Sequence, residues 1–334
     1  MSEVVLVFPK MVLSQKFDRP NIPLSIITLG TMLSDRGYKA TLIDQRMDEN
    51  WKETLDQSLR RKPLMVGISC LSGPPIHFGL EIASFVRERS SVPIVWGGLH
   101  PTLEPSTTIE HPLVDMLAVG ESEISIIELA EALEGKLPLQ KVGGLMFKEN
   151  GRIFSNPPAQ LIPLSEIPPL RFDLVDYNRY KQRISTYGME EYKTTVFIET
   201  SRGCCNRCAY CTRSKRPNRW RALSPEETVA RFRYYKEHFG IGAFMLADEN
   251  FYVDIKRVEK IIGLMELQSL EIYWDGACRP EYVARKIDVD LLNRMEKVGY
   301  KSMIIGAESG SDRILNFINK GCVSEDIILA NRKL

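Results

Sequence analysis

The stretch SRGCCNRCAYC, residues 201–211, holds four of the chain's seven cysteines. Three of them fall at Cys204-x3-Cys208-x2-Cys211, directly after a strand-like run, TTVFIETS (194–201). Thiolates are the ordinary ligands of iron–sulfur clusters, and a 4Fe–4S cube takes four of them. Three in one short loop leave one iron without a protein ligand, and an open metal position is where a substrate or cofactor binds directly. A tetrahedral zinc knuckle is the alternative. Against it, Cys204 and Cys205 are adjacent, and no downstream C-x2-C pair completes a four-thiolate set. Cys70, Cys278 and Cys322 are dispersed, and an odd number of cysteines in 334 residues does not describe a disulfide scaffold. A reducing, cytoplasmic compartment is expected.

With Tyr210 between its last two cysteines, the motif resembles the C-x3-C-x-aromatic-C hallmark of the radical S-adenosylmethionine (radical SAM) enzymes. The resemblance implies a 4Fe–4S cluster on Cys204, Cys208 and Cys211, Tyr210 near the adenine, and Cys205 as a non-ligand. In that family the unique iron chelates the amino and carboxylate groups of S-adenosylmethionine. One electron then cleaves the cofactor to a 5′-deoxyadenosyl radical, which abstracts hydrogen from the substrate. The family also implies an external electron donor of flavodoxin or ferredoxin type.

Such a loop must be held by strands. Apolar runs at 4–8, 40–44, 64–69, 93–98 and 115–120 alternate with amphipathic stretches, which predicts a doubly wound, Rossmann-like parallel sheet. GLMFKENGRIFS (144–155) reads as a hairpin around Asn150-Gly151. The Pro-rich stretch that follows predicts a linker, giving domains 1–155 and 191–334 joined by 156–190. In the second domain strands are expected at 194–201, 242–250, 271–279 and 302–309, with helices at 224–240, 254–267, 288–299 and 312–321. The first of those helices carries a capping box, Ser224 with Glu227. This α/β pattern reads as a partial (βα) TIM-type barrel, and the sequence stops inside what looks like a fifth helix. Either the chain is a fragment or its barrel is short.

Enzymes of this architecture place their chemistry at the carboxyl ends of the strands. There the family resemblance marks Asp248 and Glu249 for the amino group of S-adenosylmethionine, Arg279 for a carboxylate, and Glu308 and Ser309 for ribose or carboxylate. Helix capping by the serines and surface ion pairing by the acids are the plain alternatives. The basic run RSKRPNRWR (213–221) reads as a solvated loop, Arg221 excepted.

The front half resembles the cobalamin-binding domain that precedes the radical SAM core in one large subfamily, the class B methyltransferase-like enzymes. VGISCLSGPPI, GGLHPTLEP and DMLAVGESE carry the likeness, and it marks Ser69, Leu71, Ser72, Gly73, Gly97, Gly98, Leu99, Gly120, Glu121 and Glu123. The D-x-H-x-x-G signature is missing, since Asp44 is followed by Gln45 and Arg46. A base-off cobalamin without a histidine ligand is therefore implied, and neither His77 nor His100 is expected to bind cobalt. Methylthiotransferases also place a domain ahead of such a core, but need three cysteines there, and this one has only Cys70.

A formal net charge of +1 gives no bulk attraction to nucleic acid, and no long apolar run suggests a membrane span. The expected function is a cobalamin-dependent radical SAM C-methyltransferase acting on a small molecule or peptide. Ring-forming or rearranging chemistry, a front domain that has lost cobalamin, and a non-catalytic cobalamin or metal-binding module are the alternatives.

Overall fold

The computed structural model of the chain describes residues 1–12, 21–186, 189–212 and 220–334. Two compact units are resolved, one of residues 1–162 with 167–179, the other of 163–166 with 180–334.

In the first unit the β-branched runs form β1 (Glu3–Phe8), β2 (Lys39–Asp44), β3 (Met65–Ser69), β4 (Ile94–Gly97) and β5 (Met116–Ala118). They pair in parallel in the order β2-β1-β3-β4-β5, a doubly wound arrangement. The hairpin β6 (Leu145–Glu149) and β7 (Arg152–Ser155) does not stand apart, as β6 adds antiparallel to β5 and makes a seven-stranded sheet. Its turn uses positive φ at Asn150 (50°) and Gly151 (72°), which suits the twist of the flanking strands. Helices α1 (Leu24–Asp35), α2 (Trp51–Arg60), α3 (Pro74–Arg87), α4 (Leu99–Leu103), α5 (Pro105–Glu110) and α6 (Ser125–Leu133) complete the layers. Strand side chains such as Val5, Val66, Ile68, Ile94 and Trp96 are at most 1% exposed, and burying each stabilises by about 1.5–3 kcal/mol. The Pro-rich segment is partly packed here: Phe172 is fully buried, and the Arg171 amide donates to Thr31 Oγ1 at 3.0 Å.

The second unit has β8 (Lys181–Thr186) and β9 (Met189–Ile198), then the short pair β10 (Ser201–Arg202) and β11 (Arg221–Ala222). Then come β12 (Ala243–Leu246), β13 (Tyr273–Cys278) and β14 (Tyr300–Ile305). The order is β14-β13-β12-β9-β8, parallel except for β8. Alternating with these strands are α7 (Pro225–Phe239), α8 (Ile255–Leu267), α9 (Pro280–Arg285), α10 (Val289–Lys297), α11 (Asp312–Phe317) and α12 (Ser324–Lys333). The capping box of α7 is formed in both directions: Ser224 Oγ accepts from the Glu227 amide at 3.1 Å, and Glu227 Oε2 accepts from the Ser224 amide at 2.8 Å. Several elements end earlier than their sequence pattern, β9 at Ile198 and β12 at Leu246 among them. β14 stops at Ile305, because Ala307 and Ser309 turn tightly and Glu308 adopts φ +61°; α11 stops at Phe317, ahead of Gly321. Because the strands are parallel, the segments after β9, β12, β13 and β14 all leave from one edge. No helix among the described residues is long and apolar enough to cross a membrane.

Candidate functional site

The cysteine loop begins where β9 ends. Its base is closed by β10 pairing antiparallel with β11, Ser201 opposite Ala222 and Arg202 opposite Arg221, so Arg221 lies in the base of the loop. Residues 213–219 of the basic run lie outside the described residues. Asp248, just past β12, fixes the same point from below. Its carboxylate is buried and accepts from the Thr200 amide (2.7 Å), Thr200 Oγ1 (2.7 Å) and Ser201 Oγ (2.6 Å). Burial pushes its pKa up against the pull of those donors. Arg257, also buried, donates to the carbonyls of Thr200 (3.1 Å) and Leu223 (2.8 Å), bringing a cation to the same layer. Glu249 is exposed and accepts from the Gly203 amide, where the loop starts.

Within the loop, Cys208 is buried, Cys204 half-buried, and Cys205 and Cys211 exposed; none is in a disulfide. The Cys204 sulfur accepts from the amide of Asn206 (3.5 Å), its Nδ2 (3.5 Å), and Nδ2 of buried Asn250 (3.8 Å). The Cys208 sulfur accepts from Nη1 of Arg279 at 3.2 Å. Arg279 is itself buried, its Nε paired with Glu281 and its Nη2 donating to the Lys320 carbonyl. Burial opposes the charge on Arg279, but the hydrogen bonds to Glu281 and Cys208 hold its pKa above the ordinary value. Among the described residues no three His, Cys, Asp or Glu side chains gather as one metal ion needs. A cube does not ask that of its thiolates, because each takes its own iron.

Tyr210 and Glu308 are brought together. The Tyr210 hydroxyl donates to Glu308 Oε1 at 2.8 Å, and the buried Lys320 ammonium donates to both, at 3.0 Å each. Lys320, then Tyr210, hold the Glu308 carboxyl below its usual range, while burial raises the Tyr210 phenol. Ser309 accepts at Oγ from the Ser311 amide (3.1 Å). Glu308 and Ser309 line an open pocket of about 410 Å³ whose far wall is Ile327 and Ile328.

In the first unit the marked loops meet at the carboxyl edge of the sheet. The Cys70 amide donates to the Gly97 carbonyl at 2.8 Å, and the His100 amide to the Cys70 carbonyl at 3.0 Å. Ser69 shares a hydrogen bond with Ser25 (2.8 Å), and Ser72 with His100 Nδ1 (3.1 Å). The carbonyl of Leu71 accepts from the Cys70 thiol at 3.3 Å, and burial pushes that thiol up to about 12. Gly73 precedes α3, and Leu99 opens α4. Thr102 Oγ1 donates to the Gly98 carbonyl (2.7 Å) and accepts from the Gly120 amide (3.0 Å), tying the last two loops together. Glu121 and Glu123 follow, the latter buried. A Cβ added at Gly73 or Gly120 would meet nothing within 4 Å, so their backbone faces open space. At Gly98 it would lie 2.9 Å from the Cys70 carbonyl oxygen, at φ +96°. Gly98→Ala is therefore expected to destabilise the chain by about 2–4 kcal/mol, measured as a lower denaturation midpoint. Gln45, 1% exposed, donates to Glu81 and accepts from the Lys10 amide, and Asp44 pairs with Arg46 at 2.7 Å.

Residues 11–130 match the B12 binding domain family, and residues 198–334 match the Radical SAM superfamily. The chain joins a B12-binding domain to a radical SAM domain. It is 28% identical over 311 residues to an uncharacterized methyltransferase of Pyrococcus horikoshii, covering 92% of this chain and 65% of that protein. It is 29% identical over 305 residues to the anaerobic magnesium-protoporphyrin IX monomethyl ester cyclase of Synechocystis sp., covering 90% and 59%. Its fold is shared with the cobalamin-dependent S-adenosylmethionine radical enzyme OxsB, solved with aqua-cobalamin and S-adenosylmethionine bound. The TM-score is 0.79 at 24% identity, over 100% of this chain and 47% of OxsB. The chain thus spans about half to two thirds of the lengths of these relatives.

Three side chains of the radical SAM domain escaped the sequence reading, Lys320, Asn250 and Arg257. Asn250 was within reach of it, being the next residue after Asp248 and Glu249 at a strand end. Lys320 ends a helical pattern like any surface lysine, and only the fold brings it to Tyr210, 110 positions away.

Proposed function

We propose that the protein is a cobalamin-dependent radical SAM methyltransferase that alkylates an unactivated carbon of a small molecule or peptide. Cys204, Cys208 and Cys211 would hold a 4Fe–4S cluster, and the loops at Ser69–Gly73, Gly97–Leu99 and Gly120–Glu123 would cradle cobalamin. The observation that carries the reading is the donor set at the cysteine loop: thiols outside any disulfide on a strand-end loop, with N–H groups already directed at the Cys204 and Cys208 sulfurs. Open backbone at Gly73 and Gly120 supports the cradle, since a bulky ring system needs close approach there.

When bound, these groups supply one electron to cleave the carbon–sulfur bond of S-adenosylmethionine, releasing methionine and a hydrogen-abstracting 5′-deoxyadenosyl radical, and a cobalt centre that relays the methyl group. The chain's own residues position and exclude. Asp248 and Arg257 fix the loop base, Asn250 and Arg279 orient two sulfurs, and Glu308 offers an ionised acceptor at the mouth of the adjoining pocket. Tyr210, held by Glu308 and Lys320, presents a ring face for an adenine, and Glu249 and Ser309 remain at the same edge for the polar groups of the cofactor. The electron comes from an external donor of flavodoxin or ferredoxin type.

The test is anaerobic reconstitution with iron, sulfide and hydroxocobalamin, followed by dithionite and S-adenosylmethionine. Co-purifying corrinoid and release of 5′-deoxyadenosine with methionine are expected. A loaded chain that leaves S-adenosylmethionine intact would sink the proposal. The similarity to the Synechocystis cyclase favours a second reading, ring formation with the same cofactors. Methyl label from S-adenosylmethionine appearing in the product separates the two.

A further inference from the structure

The Arg279 contact to Cys208 spans 71 positions and is buried at both ends. Arginine keeps its charge in proteins, and a neutral thiol is only a weak acceptor for it. A guanidinium directed at a sulfur at 3.2 Å is therefore suited to a sulfur that carries negative charge, as a cluster-bound thiolate does. The partners differ between the two cysteines: neutral amides of Asn206 and Asn250 on Cys204, a cation on Cys208.

The same arginine is the centre of a clamp. Its Nη2 donates to the Lys320 carbonyl, in the segment that grips the cysteine loop. There the Ala209 amide donates to the Ile318 carbonyl at 2.8 Å, and Asn319 Nδ2 donates to the Arg207 carbonyl at 2.9 Å. Hydrogen bonds to ligand sulfurs and nearby charge are among the factors that set the potential of iron–sulfur clusters, and a reduced cluster carries one more negative charge than an oxidised one.

We infer that Arg279 is a positioning residue for the cysteine loop that also sets its electron affinity: its hydrogen bond to the Cys208 sulfur favours the one-electron-reduced state of a cluster held by Cys204, Cys208 and Cys211. The inference rests on the cluster reading above. One electron enters from the external donor, and no atom is transferred. Arg279 then acts before S-adenosylmethionine arrives, and its guanidinium is committed to Glu281, Cys208 and the Lys320 carbonyl.

The experiment is an EPR-monitored redox titration of the reconstituted full chain without S-adenosylmethionine. The variants are Arg279→Met combined with Glu281→Gln, which removes the buried cation together with its counter-charge, and Arg279→Lys. At the wild-type midpoint the double variant is expected to show a reduced-to-oxidised ratio at least about tenfold lower, equivalent to 59 mV for a one-electron couple. Arg279→Lys keeps the charge and loses the planar fork, so a smaller fall of about threefold in the same direction is expected. Wild-type protein that assembles no cluster would defeat the cluster reading itself. Iron-loaded variants with an unchanged midpoint would overturn this inference. Should the double variant lose its iron, the lysine variant decides.

Discussion

Cys208→Ala is expected to drop iron from about four per reconstituted chain to a small residue, and to end reductive cleavage of S-adenosylmethionine. Cys208 is the buried member of the set, and its sulfur is already met by a buried cation. Alanine removes the proposed ligand and also leaves Nη1 of Arg279 facing an apolar group, a buried donor without its acceptor. Bound corrinoid should be unaffected, because the loops proposed to hold it belong to the other unit. Cys205→Ala is the control. It changes the neighbouring, exposed thiol and is expected to leave iron content at the wild-type level. Iron and corrinoid, measured by metal analysis and absorbance on the same samples, check both variants.

The second large effect is expected at Asp248→Ala. The substitution leaves the Thr200 amide, Thr200 Oγ1 and Ser201 Oγ without their buried acceptor, and takes from Arg257 the stronger of its two nearby counter-charges, leaving Asp254. Removing one partner of a buried charged network costs about 3–5 kcal/mol. The loop base should loosen with it, so iron loading is expected to fall along with the denaturation midpoint. Asp248→Asn keeps one acceptor oxygen in the same shape and is expected to lose less, about 1–3 kcal/mol. Full stability together with full iron loading in the alanine variant would remove Asp248 from the account of the loop.

Much of the architecture could be read from residue patterns, because its signals are local. VVLVF, MVGIS and PIVWGG announce buried parallel strands, Asn150-Gly151 a hairpin, and Ser224 with Glu227 a helix start, and each forms within a few residues of itself. The cysteine spacing is equally local. What spacing could not say is how the strand-end acids and the arginine divide their work. Asp248 turns inward to Thr200, 48 positions back, while Glu249 beside it stays exposed; alternation along a strand end gives two opposite faces without saying which is open. Arg279 reads as a free fork at the end of β13. Its partners at 71 and 41 positions' remove exist only once β9 and β13 share a sheet and α11 returns across their edge. The early ends of β14 and α11 share this origin, since Glu308 and Lys320 must leave regular structure to reach Tyr210.

The proposed chemistry requires the three cysteines to hold a cube with one iron left open. Mössbauer spectroscopy of anaerobically prepared, ⁵⁷Fe-loaded chain tests this most directly, recorded before and after addition of S-adenosylmethionine. The predicted result is about four irons per chain, with the signal of one changing when S-adenosylmethionine is added. A chain that instead retains a single tetrahedral zinc at these thiols, with no iron signal responding to S-adenosylmethionine, would contradict it.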